Sequence, residues 1–184
     1  MKIINESMMT NNAERKMEYN NYLKEHIRNV QRSFEQFLLP VLQEDENITQ
    51  DIIAIIQDQI KQHDKSKYDD IEYKGYLQWF YPVNNDDSNK DRDEFNLAWN
   101  HHQHSNMHHP QYWLCIRDDG EQIILDMDFA SIMEMLSDWH SFSLNDRNST
   151  AYNWYQNHKK TLLISDNTRE IIEYYIEYLK EPLD

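Results

Sequence analysis

The sequence predicts a mainly α fold, a helical bundle with one small β-hairpin, and three observations predict it. Apolar residues recur every three or four positions through most of the chain, and one pair of short β-prone segments brackets a turn signal. No apolar run nears the roughly 18 residues that a membrane span requires. The 184 residues, 39% hydrophobic and 12% aromatic, supply enough apolar material for a core and exclude global disorder. The expected organisation is a flexible, Asn-rich tail over residues 1–12 and a single helical domain over 13–184.

The first helix is expected to begin near Ala13. Leu23, Ile27, Val30, Phe34 and Leu38 recur at helical spacing, and Pro40 should end or kink the helix. His26, three residues after Leu23 and four before Val30, points to the core. Thr49 can cap a second helix whose buried face carries Ile52, Ile56, Ile60 and His63, with Asp51 favoured in its first turn. A third helical stretch runs through Tyr73, Tyr76, Leu77 and Phe80 until Pro82 stops it, and an Asn, Asp and Ser-rich loop follows. Phe95, Ala98, Trp99 and His102 set a helix over 93–103. Segments 112–116 and 122–125 flank Asp118-Asp119-Gly120 as a hairpin. Asp128 can cap a helix bearing Phe129, Ile132, Leu136 and Trp139. Two further helices are expected over 151–160 and 168–180, the last with capping-box logic from Asn167 and Glu170.

A formal net charge of −15 repels nucleic-acid phosphates, so no duplex nucleic-acid partner is expected, whereas small phosphorylated substrates met by a local cation stay open. The plain reading of this acidity is solubility, and mimicry of nucleic-acid charge is the sharper one. The single Cys115 cannot form an internal disulfide, and the N-terminus lacks the pattern of a secretory leader. A cytoplasmic, membrane-free setting is therefore expected, with the oligomeric state left open.

The residues able to carry chemistry are imidazoles and carboxylates in separated segments. His63-Asp64 stands at a helix end, where neighbouring side chains can reach one divalent ion, although an isolated His-Asp pair more often caps or faces solvent. Five histidines crowd the stretch from His101 to His109, and burying several neutral imidazoles demands a partner for each ring nitrogen. His102 is the inward member and His109, just before Pro110, can enter from a loop. His101, His104, His140 and His158 read as capping or exposed. Glu134 and Asp138 lie one helical turn apart, and Asp138 beside Met135 and Trp139 would be costly without a partner. Trp79, Trp99, Trp113 and Tyr112 could line a base-binding pocket, with core packing as the competing explanation.

The order His26, His63-Asp64, histidines, Asp138 resembles the HD-domain superfamily, helical metal-dependent phosphohydrolases that carry a His, a His-Asp pair and a later Asp on separate helices. The resemblance covers about 23–139. It implies His26, His63, Asp64 and Asp138 as metal ligands, His102 and His109 as ligands of a second metal, and an HD-like bundle as the fold. Lys67 matches a lysine that meets substrate phosphate in one branch. Where single-metal nucleotidases of the superfamily carry Glu, this chain has Lys67, so Glu134 would have to supply the water-activating carboxylate. A closer likeness, to an uncharacterised group of bacterial and phage proteins, rests on the segments His63 to Tyr68, Ala98 to Trp113 and Glu134 to Trp139.

These resemblances imply one or two divalent ions (Mn, Fe, Ni, Mg or Zn) and hydrolysis of a phosphate ester or phosphodiester in a nucleotide-like substrate. Asp64, Lys67 and Glu134 would be catalytic, and Lys67, Asn106 and Tyr112 would bind substrate. The rival expectations are an HD-type di-iron oxygenase, and a non-enzymatic, phage-like acidic protein that binds a host factor or sequesters a nucleotide.

Overall fold

The computed structural model describes residues 2–183 and bears out the mainly α class with one two-stranded hairpin. Its helices are α1 (Lys2–Ser33), α2 (Leu39–Glu44), α3 (Gln50–Lys61), α4 (Asp70–Phe80), α5 (Arg92–Ser105), α6 (Phe129–Ser141), α7 (Ala151–His158) and α8 (Asp166–Tyr175). Strands β1 (Leu114–Ile116) and β2 (Gln122–Ile124) pair antiparallel, with Cys115 opposite Ile123. Gly120, at φ 86°, takes the left-handed conformation of the turn between them. Among the described residues no helix is long and apolar enough to cross a membrane.

The chain folds as two compact units. The first takes the chain up to Glu25 together with Asp64–Ser105. Its core is Tyr19, Leu23, Tyr76, Leu77 and Ala98, flanked by Tyr73, Tyr81 and Phe95. Helices α4 and α5 touch so closely at Gly75 that a Cβ there would stand 2.5 Å from the Ala98 Cβ and 2.9 Å from the Glu94 carbonyl oxygen. Arg15 closes the end of α4: its Nε donates to the Tyr81 carbonyl at 2.6 Å, and its Nη2 donates at 3.1 Å to the Leu77 carbonyl, which also accepts from Tyr81 N–H.

The second unit comprises His26–His63 and Asn106–Asp184. Its core runs through Val30, Phe34, Leu38, Ile53, Ile56 and Ile60 to Ile132, Met133, Met135 and Leu136, with Tyr155, Ile172 and Leu179 beyond. Helix α6 is its centre: every residue from Ser131 to Ser137 is buried, the mark of a helix covered all round. The buried hydroxyls turn inward on the backbone, Ser137 Oγ donating to the Met133 carbonyl and Ser141 Oγ to that of Asp138, each at 2.7 Å. Asp128 caps α6 through Ser131 N–H at 2.8 Å, and Thr49 caps α3 through Ile52 N–H at 3.3 Å, both as the sequence predicts.

Three boundaries differ from expectation. Helix α1 starts at Lys2, not near Ala13, because residues 2–12 hold neither Gly nor Pro to stop a helix that later residues stabilise. Pro40 does not end the helical path. The turn before it widens into a π-helical segment, Phe34–Leu38, and Pro40 falls in the first turn of α2, where a missing N–H costs little. The cap of α8 is Ser165, accepting from Thr168 N–H at 3.2 Å, while Asn167 donates to Asp126 Oδ2 instead. The last helix correspondingly ends at Tyr175 and continues only as a 3-10 turn, Ile176–Tyr178.

Candidate metal centre

In the second unit α1 contributes His26, the end of α3 His63, and α6 both Glu134 and Asp138. Burial on this scale makes an unpartnered polar atom costly: His26 is 6% exposed, His63 1% and Glu134 4%. Nε2 of His63 lies 3.3 Å from Nε2 of His26, and Asp138 Oδ1 lies 3.2 Å from the latter and 3.6 Å from the former. Ligands about 2.1 Å from a tetrahedral or octahedral ion stand roughly 3.0 to 3.4 Å apart, so the 3.2 Å and 3.3 Å spacings suit a shared cation and the 3.6 Å one lies slightly beyond. Asp138 Oδ1 is buried and accepts no hydrogen bond among the described residues, although two imidazoles stand beside it. The contact between the two Nε2 atoms has hydrogen-bond geometry, and a cation held by all three atoms would replace it. Burial raises the Asp138 carboxyl pKa, but protons carried by the His26 and His63 rings would outweigh it and hold the group well below the ordinary value.

Glu134 stands behind this trio. Its Oε1 meets His63 Nδ1 at 2.7 Å and His108 Nδ1 at 3.1 Å, and its Oε2 accepts from Gln59 Nε2 at 2.9 Å. A carboxylate accepting from Nδ1–H fixes the tautomer of a neutral His63 and leaves Nε2 with its lone pair toward His26 and Asp138, the usual outer-shell support of a metal-binding imidazole. The His63, His108 and Glu134 donors also lie close enough to be a metal group themselves. The 2.7 Å spacing is that of a hydrogen bond and too short for two ligands of one ion. Burial opposes ionisation of Glu134, yet His108 and His63 bring its pKa down to about 2.

The first unit repeats the logic. Asp64, 2% exposed, adopts φ 55° just after α3, and a 3-10 turn, Lys65–Tyr68, follows. Its Oδ1 lies 3.3 Å from His102 Nε2, and its Oδ2 accepts from Lys67 Nζ at 2.5 Å. Glu72, fully buried on α4, receives His102 Nδ1 at 2.9 Å, His101 Nδ1 at 2.6 Å and Ser66 Oγ at 3.0 Å. Burial would raise the Glu72 pKa, but the bonds from His102 and His101 lower it overall. Burial lowers the His102 pKa against the pull of Glu72, which favours the neutral ring that a metal needs.

Of the residues singled out in the sequence, the structure therefore brings His26, His63 and Asp138 together in one unit, with Glu134 behind them, and Asp64, Lys67 and His102 together in the other. His109 belongs to the second unit, its ring 4.3 Å from that of His108, and the half-buried Asn106 accepts its backbone N–H. Tyr112, 40% exposed, packs edge-on against Trp113. His104 and His158 cap their own helices through the Asn100 and Trp154 carbonyls, as expected. His140 departs from expectation. It is 0% exposed, packs against the Phe37 ring and accepts from Ala151 N–H at 3.3 Å, and burial lowers its pKa to about 4.

His108, Glu72 and Gln59 are the participants that sequence reasoning missed. Glu72 shares a helical face with Gly75 and Tyr76, a legible if weak sign of a buried carboxylate. His108 had the signal of its cluster but no helical phase to mark it as inward.

No curated protein and no solved structure matches the chain. A family model described as "Family of unknown function (DUF5662)" matches residues 15–178. Since that span covers most of the 184 residues, the chain belongs to this family.

Proposed function

We propose that the protein is a metal-dependent hydrolase of a phosphate ester or phosphodiester in a nucleotide-like substrate. The observation that carries this reading is the buried trio of His26, His63 and Asp138, with one carboxylate oxygen set between two imidazoles at ligand spacing and accepting no hydrogen bond among the described residues. Two imidazoles and a carboxylate suit manganese, iron, nickel or zinc better than magnesium. When bound, such an ion lowers the pKa of a water and polarises a phosphoryl oxygen. The resemblance to the HD-domain superfamily agrees in residue types and order.

The chain's own residues have separable tasks in this reading. His26, His63 and Asp138 hold the ion, and Glu134 acts as a positioning residue that orients His63 through Nδ1. Asp64 and His102, oriented by Glu72, offer a second carboxylate and imidazole in the first unit. Lys67 brings a positive charge to a phosphate within an otherwise acidic protein. Asn106 and Tyr112, on the segment that also carries His108 and His109, are the remaining substrate contacts.

Elemental analysis of the purified chain and phosphate release from a panel of nucleotides test the proposal. Stoichiometric metal, activity restored by one of these ions after chelation, and loss of both in Asp138→Ala are expected. Protein without stoichiometric metal that gains no thermal stability from any of the five ions would overturn it. A second reading is favoured by the donor set itself, since two His and one carboxylate is the ligand set of non-haem iron sites that use oxygen. Iron retained under anaerobic purification, with oxygen uptake and no phosphate release, would select that chemistry.

A further inference from the structure

Behind the ligand trio of the second unit the hydrogen bonds continue past Glu134, and their direction is set where α6 begins. Asp128 accepts twice from Ser131 there, Oδ1 from the backbone N–H at 2.8 Å and Oδ2 from the hydroxyl at 3.0 Å. A serine hydroxyl has one proton to give. With that proton committed to Asp128, Ser131 Oγ enters any further bond as an acceptor. Its partner is the side-chain amide of Gln59 in the last turn of α3, whose Nε2 stands 3.0 Å away.

The amide group that faces such an acceptor has to be the NH2. The same nitrogen lies 2.9 Å from Glu134 Oε2, so its two protons meet Ser131 and Glu134 together. Turning the amide over would set its oxygen against both acceptors with no proton between them. Donor and acceptor roles are thereby fixed step by step, from the exposed Asp128 through the buried Ser131 and the half-buried Gln59 to the buried Glu134. Gln59 precedes His63 by one helical turn, and Ser131 precedes Glu134 by one turn on α6, so a single amide holds the two segments in register.

We infer that Gln59 is a positioning residue for the metal centre: its amide holds Glu134 as a hydrogen-bond acceptor, and Glu134 keeps the His63 proton on Nδ1, which leaves Nε2 for the ion. The inference rests on the metal-binding reading above and adds to it the residue that orients the orienting carboxylate. A methionine could fill the same space, but only the amide supplies two donors from one nitrogen. A carboxylate at this position would do the reverse and set two acceptors against each other. Glu134 would then swing away or take up a proton, and either change releases Nδ1 of His63.

The test is the zinc and manganese affinity of the full chain, by competition with a fluorescent chelator, in Gln59→Met and Gln59→Glu, with thermal melting of the metal-free proteins alongside. Gln59→Met keeps the length of the side chain without its donors and should weaken binding about three- to tenfold, whereas Gln59→Glu, closer in shape, should weaken it by about tenfold or more. A residue that only fills space would show itself in the melting of the metal-free chain and leave the affinity of the folded protein unchanged. Wild-type affinity in either folded variant would overturn the inference. Failure of both variants to fold would overturn it too, by making Gln59 a support of the core. A wild-type chain that binds neither ion would take the metal reading down and this inference with it, whereas wild-type binding that both variants retain sinks the inference alone.

Discussion

A single oxygen decides how the second unit's centre should respond to mutation. Glu134 Oε1 touches Nδ1 of both His63 and His108, so Glu134→Gln keeps the size and the Gln59 contact but replaces one acceptor by an amide. Changes of this kind behind a metal-binding imidazole cost about 10- to 100-fold in metal affinity. The expected outcome is that loss for manganese or zinc, measured by competition with a fluorescent chelator, in a variant that stays folded. Unchanged affinity would show that Glu134 does not orient a ligand. His26, His63 and Asp138 are legible in the sequence because a polar group at a core-facing helical phase advertises its own cost. His108 and Gln59 are not, and Glu72 is so only weakly, since a supporting residue is defined by what it reaches across the fold, and its own segment does not record that partner. His140 misleads for the same reason: its ring meets Phe37 and the start of α7, both distant in the chain.

At the scale of elements, the α4 and α5 pair is the most exacting contact. Gly75→Ala would improve intrinsic helix propensity by roughly 1 kcal/mol, yet its new Cβ would meet the Glu94 carbonyl and the Ala98 methyl, neither of which is a flexible side-chain end. Overpacking of this sort costs about 1–3 kcal/mol, so the net effect is destabilising. Thermal unfolding should show a midpoint lower by several degrees, and an unchanged or raised midpoint would mean that the helices separate without penalty. Helix existence is readable throughout because the apolar period is a property of each segment alone. Ends are less so. Pro40 reads in sequence as the end or a kink of the first helix, and the helical path continues past it by way of a π-helical turn, while Ser165 takes the cap that the Asn167 and Glu170 spacing suggested. Nothing in composition marks the borders of the two units, which fall inside α1, between His63 and Asp64, and after α5.

For the molecule as a whole, high pH is the condition under which burial and net charge act in the same direction. The pKa of Tyr175 in the second unit is pushed up to about 12, chiefly by burial and then by Asp45, and those of Tyr19 and Tyr76 in the first unit are raised as well. In the unfolded chain each phenol ionises near 10, so above that pH the unfolded state binds fewer protons than the folded one and stability falls as pH rises. The stability is fully present below about pH 10 and is lost toward each folded value, at about 1.4 kcal/mol per pH unit for each fully enclosed hydroxyl. Deprotonation of lysines over the same range deepens a net charge that is already −15, adding self-repulsion. The expected record is two-stage: helical circular dichroism holds through about pH 10, and at higher pH phenolate absorbance from the enclosed tyrosines appears together with loss of helix. Tyr76→Phe removes one of the linked protons and should move the second stage to higher pH. If all twelve tyrosines ionise near pH 10 with the helical signal intact, the phenols are not enclosed as described, and the aromatic core of the first unit would have to be redrawn.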